Sequence, residues 1–357
     1  MSRTTIRSIS VEPLNIPLLE PFTIATGSVT EARNVLITIT LNDGSVGYGE
    51  CAPFNPSTGE TQETALAAAR GCAALIEGQD AAHWRRLSRL MHSVYFSQAT
   101  AIAGMEMALL DALTRSYSVP LYVFFGGAST SVETDISIPI VTPEHAYDLA
   151  KDILARGIRT IKIKVGGDIR EDVARVEAVR EAAPGVGLIL DANQGYTASE
   201  ALLCLEALDD RDIRPLLLEQ PVHKDDYEGL RYVTQHTTVP IAADESASHA
   251  AAVARLLAMG AISIVNVKLM KAGVVEALDI AAVCRTNHLG LMIGAMIESR
   301  LAIAAAAHLA AGLGGFSFID LDTPMLLAED PFTGGYEQRN GIYDVSSVKS
   351  GLGIERR

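Results

Sequence analysis

A chain of 357 residues is long enough for two domains of roughly 150 residues each, and long enough to bury a core that needs no disulfide or metal staple. Its 48% hydrophobic and 20% charged residues exclude a disordered chain, and 29 basic against 43 acidic residues leave a net charge of −14. That excess of acid offers no basic face to nucleic acid or to an anionic membrane surface. Cys51, Cys72, Cys204 and Cys284 are too scattered for a disulfide framework or a C-x-x-C metal site, and the opening MSRTTIRSISVEP lacks the apolar core of a signal peptide. These features predict a soluble, cytoplasmic protein.

Ile6–Ile16 and Asn34–Leu41 have the composition of strands, and Asn42-Asp43-Gly44 predicts a hairpin turn into Val46–Glu50. Glu60–Ile76, Ala81–Met91 and Ile102–Arg115 then carry helical spacing, so the first part of the chain reads as an α+β unit. From about Thr134 the pattern becomes strand–helix alternation. The expected strands are 136–140, 160–165, 187–191, 216–219, 241–244, 264–268, 291–293 and 318–320. The polar residues that end them, Lys164, Asp191, Glu219, Asp244, Lys268 and Asp320, are spaced by 27, 28, 25, 24 and 52 residues. A strand, a helix and two short loops need about 25 residues, so the last interval is two repeats. Eight strands at this period predict a closed parallel barrel rather than an open sheet. The uncharged run Leu301–Ile319 is mostly Ala and Gly and contains His308, which predicts a buried helix and a glycine turn, with His308 as a hydrogen-bonded core residue. The expected division is an α+β unit over 1–128, completed by the helix-poor tail 331–357, and a barrel over 129–330.

Catalytic groups of such barrels sit at the C-terminal ends of the strands. A single charged strand end is most simply a solvated loop start, but six of eight converge here. Asp191, Glu219 and Asp244 end three consecutive strands without His or Cys nearby, a hard oxygen donor set that suits Mg²⁺ better than Zn²⁺. Lys162 and Lys164 face the same side of their strand, and Lys268 ends the strand after the one carrying Asp244. The same residues also admit a salt-bridge network in which the lysines only neutralise the acids. With a divalent cation and a second lysine nearby, a lysine is expected to lose its proton more readily and to act as a base. Two lysines on opposite faces of an acidified α-carbon could racemise or epimerise it.

The motifs TIKIKVGGD, LDANQGY, LLEQPV, IAADES, IVNVKLMKAGV and MIGAMIESRLAIAAAAHLAAG resemble the barrel of the enolase superfamily, in its muconate-lactonising subgroup. GYGECAP and the TGET of Thr58–Thr61 resemble that family's capping domain. The resemblance implies a (β/α)7β-type TIM-like barrel with an N-terminal α+β capping domain. Pairing a lysine base with Mg²⁺ is a known property of this superfamily, so the assignment enters by resemblance. It implies Mg²⁺ on Asp191, Glu219 and Asp244, Lys164 and Lys268 as the acid/base pair, and Lys162 against the enolate oxygen.

The subgroup includes cycloisomerases, o-succinylbenzoate synthases, N-acylamino acid racemases and dipeptide epimerases. FIDLDTPMLL resembles the D-x-D motif of the dipeptide epimerases, which implies that Asp320 and Asp322 hold a substrate's N-terminal ammonium. A turn-forming Asp-x-Asp before Pro324 is the simpler alternative. Ser137 stands near a position where that family has a hydroxyl contacting the peptide. Alanyl-glutamate epimerases carry an arginine in the loop after the first strand. Here EPFTIATGSVTEARN has no Arg or Lys between Glu20 and Arg33, and Thr26 and Ser28 occupy the candidate positions. Phe22 in that loop reads as core of the capping domain. The expected activity is therefore epimerisation of L,L-dipeptides at the C-terminal residue, with an apolar or aromatic side chain there and not glutamate. The alternatives are an N-acylamino acid racemase or cycloisomerase of the same subgroup and, more remotely, a non-catalytic carboxylate-binding barrel. The expected partner is a small dipeptide; Ala-rich helices leave a homo-oligomer open.

Overall fold

In the computed structural model, which describes residues 2–357, the N-terminal unit is built on two long antiparallel strands. These are β1 (Ile6–Ile24) and β2 (Gly27–Leu41), joined to β3 (Val46–Cys51). Residues 20–33, read from the sequence as a loop, are the outer arm of this hairpin: Phe22 pairs with Val29, Thr23 with Ser28 and Ile24 with Gly27. Pro17 and Pro21 hid the strand, because proline cannot donate to a ladder. The structure accommodates them with a register shift between Pro17 and Phe22.

Five helices follow: α1 (Asn55–Thr58), α2 (Gln62–Ile76), α3 (Trp84–Val94), α4 (Ala99–Ser116) and α5 (Leu121–Phe124). Helix α2 begins with a capping box between Thr61 and Thr64, which satisfies two of its free N–H groups. Helix α4 is buried along almost its whole length, with the hairpin on one side and the second domain on the other.

After β4 (Ser131–Glu133) the chain alternates as expected, and all eight expected strands are present. They are β5 (Ile136–Ile138), β6 (Thr160–Lys164), β7 (Gly187–Asp191), β8 (Leu217–Glu219), β9 (Ile241–Ala243), β10 (Ile264–Lys268), β11 (Gly290–Gly294) and β12 (Phe316–Ile319). Seven helices connect them: α6 (Pro143–Ala155), α7 (Ile169–Ala182), α8 (Ala198–Asp209), α9 (Tyr227–His236), α10 (Ala250–Met259), α11 (Leu269–Thr286) and α12 (Arg300–Leu313). The strands lie in sequence order, all parallel, which is the (β/α)7β arrangement. No ladder joins β5 to β12 among the described residues. Asp135 N donating to Ile319 O at 2.9 Å and Leu321 N donating to Thr134 Oγ1 at 2.8 Å span that seam.

Inward side chains of Ile189, Leu217, Ala242, Ile264 and Met292, with Phe318, plug the lower half of the barrel. The inward positions above them are polar, so the site has a dry apolar floor. Among the described residues no helix is long and apolar enough to cross a membrane, and the Ala-rich run is helix α12, fully buried. His308 within it accepts from Tyr122 N and donates to Gly335 O, and burial pulls it down to about 4, so it is a neutral core residue. All four cysteines are free and buried.

The tail forms β13 (Phe332–Gly334), β14 (Glu337–Arg339), β15 (Ile342–Asp344) and β16 (Ile354–Arg356). It runs back along the first domain, where Leu121 N donates to Gly351 O and Asp111 Oδ1 accepts from Leu352 N. Two carboxylates of the first domain cap helices of the second. Glu50, at the end of β3, accepts from Ser299 and from Ala302 N at the start of α12. Glu106, on α4, accepts from Val275 N, where Gly273 breaks α11 at φ 80°. A Cβ on Gly273 would stand 2.7 Å from Glu106 Oε2, so only glycine allows both the turn and the approach.

Candidate active site

Parallel register brings the charged strand ends together. Lys164 is opposite Asp191, and Asp191 opposite Glu219, while Asp244 follows β9 and Lys268 ends β10. Lys162 lies one inward position lower and is fully buried. Its Nζ is 2.9 Å from Asp191 Oδ2, 2.8 Å from Glu219 Oε2 and 2.6 Å from Asp320 Oδ2. Lys164 Nζ contacts Asp191 Oδ2 at 2.7 Å, and Lys268 Nζ contacts Asp244 Oδ2 at 2.8 Å. Lys271, which the sequence reading passed over, grips Asp244 through both its carboxylate and its backbone carbonyl. Asn266 Nδ2 donates to Glu219 Oε1 at 2.7 Å. Gly294 makes room for this pair: a Cβ there would stand 2.8 Å from Asn266 Nδ2 and 3.0 Å from Lys268 Cε.

Burial opposes every one of these charges, and pairing decides which survive. For Asp191, desolvation is outweighed by Lys162, Lys164 and Lys268, which hold the carboxyl well below the usual range. Asp244 is likewise held down by Lys268 and Lys271 against its burial. In Glu219 burial wins, helped by Asp191, and the group is pushed up to about 7. Glu245 rises to about 7 and Glu298 to about 8, both chiefly from burial. Burial pulls Lys268 down, but Asp244 and Glu219 raise it by more. Among the protein groups alone, that is opposite to the lowered lysine expected from the sequence. Lys162 cannot act as an unbalanced positive neighbour, because three acids already neutralise it.

The ammonium groups lie between the acids, so among the described residues no three His, Cys, Asp or Glu side chains stand around one point as a metal site. The donor set nevertheless fits a hard divalent ion. Asp191, Glu219 and Asp244 come from adjacent strands with no sulfur or imidazole among them. Glu219 Oε2, Asn193 Oδ1 and Glu245 Oε2 are buried and accept no hydrogen bond. The first of these is charge-paired with Lys162 at 2.8 Å but without hydrogen-bond geometry.

Above the lysines lies a cavity that opens to solvent. Ser137, Lys164, Lys268, Asp320 and Asp322 line it. Asp322 Oδ2 accepts from Ser137 N at 2.7 Å, which ties the two candidate substrate contacts together. Burial and Asp320 raise Asp322 to about 6, whereas Lys162 and Lys164 keep Asp320 low despite its burial. Thr26 does not join them: it is exposed at the hairpin tip and lies outside the cavity lining. Phe22, read from the sequence as core, packs against the hydrophobic core and also lines the cavity, with its ring 6.0 Å from Lys164 Nζ. Ile24, Val29, Phe54, Met296 and Ile297 complete an apolar wall. Sequence reasoning missed the last three. Met296 and Ile297 follow the end of β11, so extending the strand-end rule from charged to apolar residues would have found them.

Residues 145–357 match the enolase C-terminal domain-like family, and residues 6–126 match the N-terminal domain family of mandelate racemase and muconate lactonizing enzyme. The chain is 46% identical over 352 residues to an aromatic dipeptide epimerase of Herpetosiphon aurantiacus, covering 98% of this chain and 99% of that one. It is 39% identical over 320 residues to an L-Ala-D/L-Glu epimerase of Thermotoga maritima, covering 89% and 92%. A crystal structure of a dipeptide epimerase from Enterococcus faecalis, complexed with Mg and L-Leu-L-Tyr, superposes with a TM-score of 0.95 at 36% identity, covering 99% of this chain and 100% of that one.

Proposed function

The chain belongs to the enolase superfamily, in the branch of mandelate racemase and muconate lactonizing enzyme, and from that premise we propose that it is a Mg²⁺-dependent dipeptide epimerase. The reaction inverts the α-carbon of the C-terminal residue of an L,L-dipeptide. The observation that carries the reading is the position of two amines: Lys164 and Lys268 end strands four apart in an eight-stranded barrel, so they face one cavity from opposite sides.

One amine takes the α-proton and the other returns a proton to the opposite face, which inverts the centre. Lys162, charged and fully buried beneath them, stabilises the oxygen of the enolate formed between the two steps. Held by Asp191, Glu219 and Asp244, Mg²⁺ would draw these acids from the lysines and offset the charge that grows on the substrate carboxylate. Asp320 and Asp322 bind the N-terminal ammonium, and the Ser137 hydroxyl contacts the peptide.

The side chain of the second residue meets Phe22, Ile24, Val29, Phe54, Met296 and Ile297. Among the described residues the only cations lining the cavity are Lys164 and Lys268, both engaged in the chemistry. A glutamate side chain would be buried there without a partner. Similarity to an aromatic dipeptide epimerase supports the same preference.

The test is kcat/KM for L-Ala-L-Phe, L-Ala-L-Glu and N-acetyl-L-Ala-L-Phe, with Mg²⁺ and after EDTA. L-Ala-L-Phe is expected to exceed L-Ala-L-Glu by about a hundredfold, from a few kcal/mol of unpaired charge. The acetylated substrate lacks the cation that Asp320 and Asp322 hold and is expected to be poor. EDTA abolishes turnover and Mg²⁺ restores it. A preference for L-Ala-L-Glu overturns the side-chain reading, and a preference for the acetylated substrate turns the assignment to an acylamino acid racemase. Full activity after metal removal overturns the metal reading.

A further inference from the structure

Asp135 lies deep in the barrel, 2% exposed, and the chemistry above makes no use of it. It precedes β5 and faces inward, one alternate position below Ser137. Its backbone N–H bonds to Ile319 O across the seam, which sets it beside Asp320. Neither carboxyl oxygen has a hydrogen-bond partner, although the carboxyl is buried next to Asp320.

Ionising both of two neighbouring buried carboxyl groups is costly, so one of them keeps its proton. Asp320 is the one that keeps its charge, because Lys162 Nζ is 2.6 Å from its Oδ2. Asp135 has no cation of its own: Lys162 is shared among Asp191, Glu219 and Asp320. Burial, Asp320 and Asp322 together raise Asp135 well above the usual carboxylate range, against a smaller pull from Lys162. We propose that Asp135 is a positioning residue, a neutral carboxylic acid that donates its proton to Asp320 and so fixes that carboxylate between Lys162 and the ammonium of the substrate.

The consequence is a count of charge. With Asp135 neutral, the ammonium meets Asp320, already shared with Lys162, and Asp322. With Asp135 ionised, a third negative charge would stand against the same cations, and Asp320 would be pushed away from it.

Two variants of the full-length protein separate the possibilities. Asp135→Asn keeps an N–H donor toward Asp320 in the same volume, whereas Asp135→Val removes it. The infrared difference spectrum of wild type minus Asp135→Asn at neutral pH is expected to contain the C=O stretch of a protonated carboxyl group. Asp135→Asn is expected to hold KM within about threefold of wild type, while Asp135→Val raises KM at least about tenfold with a smaller change in kcat. Absence of the carboxyl band, or a KM as impaired in Asp135→Asn as in Asp135→Val, overturns the proposal. If Asp135→Val fails to fold, the band and the Asp135→Asn kinetics still decide. The role toward the ammonium rests on the dipeptide reading. The infrared band involves no substrate, so failure of that reading would leave the band in place.

Discussion

Lys164 and Lys268 have unlike surroundings although both rest on a carboxylate. Lys164 has Asp191 on one side and the ring of Phe22 over it. Lys268 shares Asp244 with Lys271, whose ammonium is buried and holds that acid in a fixed orientation. On the proposed mechanism each amine would reach the α-carbon from its own face and serve one epimer. In D₂O, Lys164→Ala and Lys268→Ala should both stop epimerisation, while each retains α-proton exchange with only one epimer, and the retained epimer should differ between the two. Proton NMR of the α-position checks this. Equal residual exchange of both epimers in both variants would contradict a face-specific assignment. The polar strand ends that supply these groups were legible one by one. Their mutual distances were not, because a strand end fixes which way a side chain faces but not which partner it meets.

At the scale of elements, the arm of the β1–β2 hairpin forms the wall of the cavity. It is anchored where Ile140 N donates to Thr23 O at 2.9 Å, and it presents Phe22, Ile24 and Val29 inward while Ala25 and Thr26 stay exposed. A strand pair fixes which residues face in by its period of two, as a loop does not. On the proposed reading, specificity for the second residue would follow from the identity of alternate hairpin positions. Ile24→Arg would put a cation on that wall. Relative to L-Ala-L-Phe, kcat/KM for L-Ala-L-Glu should rise at least about tenfold, the return of roughly 1.4 kcal/mol of the unpaired-charge cost. Steady-state assays of both substrates check it, and an unchanged ratio would place the second side chain elsewhere.

For the whole molecule, cap and barrel share one apolar core and are tied by crossed polar contacts: Glu50 on α12, Glu106 on α11, and the tail along α4. Glu106 is buried, and desolvation raises it to about 7 in spite of the Ser88, Val274 and Val275 donors. Its ordinary value is 4.5, so the folded state binds more protons than the unfolded one between about 4.5 and 7. Stability from this group is fully present below about 4.5 and is lost as pH rises through about 7. The loss is of order 1–3 kcal/mol. His92 Nε2, 3.8 Å from Glu106 Oε1, is pulled down by its own burial and offers little compensating charge at neutral pH. Glu106→Gln removes the titration, so the fall in Tm between pH 5 and 8 should be shallower in the variant than in wild type. Parallel Tm–pH curves would show that Glu106 does not titrate in the fold.

The sequence by itself determined the barrel and its charged rim, because a parallel strand and its returning helix need a nearly constant length, which sets the polar strand ends at a regular interval. The Ala-rich helix likewise declared itself through composition. Only the tertiary structure decided that Phe54 lines the cavity, because it carries the same local signature whether it lines a cavity or fills a core. It also decided that residues 20–33 are hairpin, since two prolines masked a pairing that β2 stabilises from the other side. Asp135 stands beside Asp320 because the first and last strands of the barrel meet at the bond from Asp135 N to Ile319 O. Glu106 reaches Val275 across 169 residues of chain. Contacts of this kind leave no local pattern, because what creates them is the closing of the fold and not the preference of any segment.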